Sequence, residues 1–160
     1  MENAVELKEE AELLLLNRHY ARAVALAITA REELGKAQII ADRLDGCVSR
    51  SEFERAFRRH DLKAAYVSRR IDLQIGPATG DSKGVASGTI TYDLQLGQQL
   101  FALRSNSLYV GWDGSKPLTP SETVTPELAE QAVASVKSSI EHELTMQYLT
   151  ERIGTRSQFK

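Results

Sequence analysis

Glu33 with Lys36, His60 with Lys63, and Arg104 are polar groups set among residues that otherwise repeat as apolar stripes. At helical period, Ala23, Ala27, Ala30, Leu34, Ala37, Ala41 and Leu44 share one face, and Glu33 falls at the edge of it. A carboxylate near a buried face is costly unless it is paired. Lys36 lies one turn further on, within reach of Glu33 or Glu32. His60 falls on a stripe with Phe53, Phe57, Ala64, Val67 and Ile71, and Arg104 closes the apolar face of Leu96, Leu100 and Leu103. Packed against one another, such faces would form a single polar cluster of acid, base and imidazole, able to move protons or only to fix helix packing.

Arg55 and His60 add a second pattern, Arg-x4-His. In a metal-independent ribonuclease the imidazole would carry protons to and from the 2′-hydroxyl while the guanidinium held the phosphate. The two residues superpose poorly around a helix, and many arginines make the spacing easy to reach by chance. Arg55, Arg58 and Arg59 belong to a basic segment, continued by Arg69 and Arg70, that suits RNA if it lines a groove. His19, His60 and His142 are too scattered for a metal motif, and no Ser-His-Asp set can be assembled, so neither metal nor other cofactor is expected. Gly80-Asp81-Ser82-Lys83 lacks the residue order of a phosphate-binding loop.

The elements that must position these groups read as helices. A first helix spans about Asn3 to Leu16, with Asn17-Arg18-His19-Tyr20 as a break. A central helix then runs to Leu44, ended by Asp45-Gly46. Ser49 or Ser51 caps a third helix, extended here to Ile75 and stopped by Gly76-Pro77. A long loop is expected around residues 76–90, with a short extended piece between Val85 and Tyr92. A helix from Thr91 to Ser105, a compact loop from Leu108 to Pro117 holding Trp112, and a final helix from Pro126 to Arg152 complete the chain. That last helix is expected to bury Val133, Val136, Ile140 and Leu144, and residues 154–160 read as a disordered tail.

At 160 residues, with 42% hydrophobic and 26% charged residues, one folded domain with a real core is expected over residues 1–160. The net charge of −2 gives no general pull toward nucleic acid. Cys47 is the single cysteine, so an internal disulfide is excluded and a reducing, cytoplasmic setting fits; no membrane span or signal peptide is recognised.

Tyr20-Ala-Arg-Ala23, Arg31-Glu-Glu-Leu-Gly-Lys36, His60-Asp-Leu-Lys63, Arg104, Ser107-Leu-Tyr-Val110 and Trp112-Asp-Gly114 before Pro117 together resemble the AbiV family of abortive-infection proteins, within the HEPN superfamily. The resemblance covers about Leu13 to Leu144. It implies an all-α, HEPN-type antiparallel bundle of four to five helices, usually a homodimer, with a role in bacterial defence against phage. Many HEPN proteins are ribonucleases with an Arg-x4–6-His motif near the start of a late helix. In the corresponding Arg104-Ser-Asn-Ser-Leu-Tyr109, tyrosine replaces the histidine. The positions carried over are Glu33, Lys36, His60, Lys63, Arg104 and Tyr109. The expectation is a phage-defence protein acting on RNA or the translation machinery. The alternative is a non-enzymatic module that recognises a phage or host protein.

Overall fold

The computed structural model describes residues 1–75 and 86–157. The all-α reading holds: seven helices account for most of the described chain, with four short strands. The chain divides into two compact units, Met1–Arg31 with Leu103–Lys160, and Glu32–Ala102.

The first unit contains α1 (Glu2–Leu16), the opening of α2 (Tyr20–Leu44) and the end of α5 (Leu94–Leu108). It also holds the β3–β4 hairpin (Gly111–Trp112 and Pro117–Leu118), α6 (Pro120–Thr123) and α7 (Pro126–Ser157). α1 packs on α7. Its core is built largely of small residues, Ala4, Ala11, Ala23, Ala27 and Ala129, with Val133, Val136 and Ile140 from α7. Leu144, expected inside, is exposed. Lys137 reaches Glu12 at 3.1 Å. Burial pulls the Glu12 carboxyl upward, but hydrogen bonds from Lys137 and Lys8 outweigh it and hold the group below its usual range.

The second unit begins on α2, which ends at Gly46 in a left-handed conformation (φ 77°) that costs glycine nothing. α3 (Arg50–Arg58) opens with a reciprocal cap between Ser49 and Glu52. The helix expected to run on to Ile75 instead breaks at Arg59, whose extended backbone (φ −100°, ψ 124°) ends α3 and starts α4 (His60–Tyr66). β1 (Arg70–Ile75) follows and pairs antiparallel with β2 (Ala86–Thr91), from Arg70 opposite Thr91 to Ile75 opposite Ala86. Residues 86–90 of the expected loop are therefore strand, and the Gly76-Pro77 stop and the Gly80–Lys83 segment lie outside the described residues.

The break rotates the buried face. Ala56, Leu62 and Tyr66 pack with Ile39, bordered by Phe53, Ile90 and Tyr92, while Phe57 and His60 are exposed. α4 is gripped from two sides by glycines. A Cβ added at Gly35 of α2 would lie 2.0 Å from the Lys63 carbonyl oxygen, and one at Gly97 of α5 would lie 2.1 Å from that of Asp61. Only glycine permits either approach, so the first turn of α4 is held by backbone contact at Asp61 and Lys63.

Candidate functional site

The close approach at Gly35 sets the α2 turn around Glu32 against the first residue of α4. The His60 Nδ1 donates to Glu32 Oε2 at 2.6 Å. The Glu32 side chain is 3% exposed and that of His60 is 49% exposed. A carboxylate taken out of water thus holds an imidazole whose ring is half in solvent. In the neutral ring, with Nδ1–H committed to Glu32, the lone pair is left on Nε2. The Phe101 ring of α5 stacks against the imidazole, with centroids 6.0 Å apart and planes 25° apart. The ring is oriented by a charge on one side and an apolar surface on another.

Around it, Arg59 forms a two-pronged pair with Asp61, Nε to Oδ1 at 3.0 Å and a second, closer contact from its terminal nitrogen to Oδ2. That hydrogen bonding to Arg59 outweighs burial and keeps the Asp61 carboxyl below its usual range; Asp61 also accepts the Leu62 N–H at 3.0 Å. Arg59 is therefore engaged, whereas Arg55 and Arg58 are exposed along α3.

The other expected residues divide clearly. Glu33 and Lys36 do pair, but their side chains are 22% and 29% exposed, so this is a part-buried ion pair on α2 rather than a core one. Glu33 was the carboxylate expected to enter the core; Glu32 does so. The expected stripe is buried from Ala23 through Leu34, but beyond it the buried positions are Gly35, Gln38, Ile39 and Asp42, in line with Glu32, while Ala37 is half-buried and Ala41 and Leu44 are exposed. Alanine contributes so little contrast between faces that the shift beyond Leu34 was not visible in its periodicity. Lys63 is buried on α4, beside the glycine contact. Arg104, half-buried at the end of α5, and the exposed Tyr109 belong to the first unit. Glu32 and Phe101 were missed as partners of His60. The pairing of adjacent acids in Glu32-Glu33 was visible, but not which one turns inward.

A second polar cluster closes the other end of α4. The Tyr66 hydroxyl donates to Asp42 Oδ2 at 2.8 Å, and Arg69 Nε reaches the same oxygen at 2.7 Å, with its guanidinium 5.3 Å from the Tyr66 ring centroid. Burial, reinforced by the hydrogen bond to Asp42, pushes the Tyr66 hydroxyl far above its ordinary range. Tyr66 is only 2% exposed. Like the first it is built on a buried carboxylate, but here the ring-bearing partner is itself buried, with its hydroxyl committed to Asp42.

Among the described residues no group of His, Cys, Asp and Glu could hold a metal ion, and no helix is long and apolar enough to cross a membrane. What the His60–Glu32 arrangement can do is accept or return a proton at Nε2. No curated protein and no solved structure matches the chain. A family model described as AbiV, of the HEPN group, matches residues 1–141, nearly the whole helical part that carries His60, Glu32 and the Gly35 contact. The chain belongs to the AbiV family of HEPN proteins, the family of abortive infection.

Proposed function

We propose that this chain acts in phage defence as a metal-independent endoribonuclease, with His60 as the proton-transferring group and Glu32 as the residue that positions it. The observation that carries this reading is the 2.6 Å contact between a half-exposed imidazole and a buried carboxylate. In the reaction, His60 Nε2 takes the proton of a ribose 2′-hydroxyl and the freed oxygen attacks the adjacent phosphorus. The bond from phosphorus to the 5′-oxygen breaks. A protonated group returns a proton to that oxygen, leaving a 2′,3′-cyclic phosphate and a 5′-hydroxyl. Arg55 and Arg58 suit the phosphates of the substrate, and Lys36, one turn beyond Glu32 on α2, is paired with Glu33. Lys63 is too buried to touch RNA. We place the protein in the cytoplasm as a homodimer. Leu144, Met146, Tyr148 and Leu149, exposed along α7, give such an association apolar surface to cover.

A non-enzymatic module that recognises a phage or host protein is the second reading. Tyr109, Val110 and Trp112 favour it, because they stand 68%, 64% and 66% exposed around the β3–β4 hairpin. Total RNA incubated with the purified protein and a chelator separates the two. Fragments ending in cyclic phosphate are expected from the wild type and not from His60→Ala. Intact RNA with the wild type, or equal cleavage by both, contradicts the ribonuclease reading.

A further inference from the structure

Two cavities of the second unit share a wall. The first, of about 400 Å³, is bordered by Arg55, Tyr66 and Tyr92. The second, of about 370 Å³, is bordered by Arg70, Asp93 and again Tyr92. Thr91 lines both, and it faces Arg70 across the β1–β2 ladder. The concave surface therefore continues from an exposed arginine on α3, past a tyrosine, to an exposed arginine at the start of β1.

The groups along it differ in how far they are engaged. Arg59 and Arg69, the neighbouring cations, are held by Asp61 and Asp42. Each cavity also contains one acid, and each acid serves as a cap: Glu52 accepts the Ser49 N–H at 3.1 Å, and Asp93 accepts the Leu96 N–H at 3.0 Å. Hydrogen bonding from Ser49, together with the nearby Arg55 charge, holds the Glu52 carboxyl below its usual range. Tyr92 is half-buried, its ring 5.9 Å from that of Tyr66 and tilted 39° to it, so it is supported from behind as a rigid surface. An aromatic ring between two cations, in cavities of a size that takes small organic groups, matches how unpaired bases and their phosphates are held. A duplex keeps its bases stacked inside and cannot offer one to such a cavity.

We propose that Arg55, Tyr92 and Arg70 form a track for single-stranded RNA, with a base stacked at Tyr92 and phosphates at the two arginines. This rests on the reading of the protein as acting on RNA and extends it to the substrate class, an unpaired segment.

The test measures binding of a fluorescein-labelled single-stranded oligoribonucleotide, and of a duplex of the same composition, to the full chain carrying His60→Ala to prevent cleavage. Tyr92→Leu keeps apolar bulk against Tyr66 and is expected to weaken single-strand binding about tenfold. Arg70→Ala is expected to weaken it and to lower the slope of log affinity against log salt by about one. Arg50→Ala, on an exposed arginine paired with Glu54, should change little. If Tyr92→Leu does not fold, Arg70→Ala and its salt slope decide. Unchanged binding in Arg70→Ala, or duplex bound as tightly as single strand, overturns the track. Should His60-dependent cleavage persist beside that result, only the track falls; if the parent neither binds nor the wild type cuts RNA, both readings fall.

Discussion

α2 carries two buried carboxylates ten residues apart, and α4 meets both, Glu32 at its first residue and Asp42 at its last. Each accepts a hydrogen bond from a ring-bearing side chain. At the Asp42 end the partners are closed off: Tyr66 is buried, and the Arg69 side chain is 15% exposed. At the Glu32 end the partner is a half-exposed imidazole. The same device, a desolvated acid fixing a neighbour, thus makes a lock at one end of α4 and an oriented proton carrier at the other. Solvent access to the partner separates the two.

The largest effect on folding should come from the lock. Asp42→Asn leaves the Arg69 guanidinium beside a neutral amide in a buried setting and should cost about 3 kcal/mol, read as a lower urea midpoint. Cleavage per folded molecule should be unchanged. If Asp42→Asn abolished cleavage while the protein stayed folded, the division between the two ends would be lost.

Glu32→Gln should cost less, about 1 kcal/mol, because the amide oxygen still accepts from His60. It should nevertheless lower RNA cleavage about a hundredfold, since the charge that sets the ring is gone. Glu33→Gln, next to it, removes a part-buried ion pair within one helix and should cost about 1 kcal/mol or less. Effects of equal size at positions 32 and 33 would mean that burial does not distinguish them.

Helix starts and stops with strong local chemistry were legible: the break at Asn17, the Gly46 terminus, the Ser49 cap and the Thr125-Pro126 start all lie where residue types place them. The break at Arg59 was not. Neither proline nor glycine marks it, and it is settled by tertiary packing of α4 against Gly35 and Gly97. β1 had a signal that a helical stripe through Val67 and Ile71 obscured. Arg70-Ile71-Asp72-Leu73-Gln74-Ile75 alternates polar and apolar at every step, which is strand period. For the candidate site, the residue types and the segment were readable and the inward-facing acid was not. One residue of rotation on a helix built of alanines separates Glu32 from Glu33, and that rotation is decided by what α4 packs against.

The tautomer of the His60 ring tests the central claim most directly. Nitrogen-15 spectra, taken where the imidazole is neutral, report which ring nitrogen bears the proton. A ring fixed by Glu32 must carry it on Nδ1, with Nε2 bare, and Glu32→Ala must abolish that preference. A wild-type ring protonated on Nε2, or one whose spectrum is unaltered by Glu32→Ala, would show that Glu32 does not position His60.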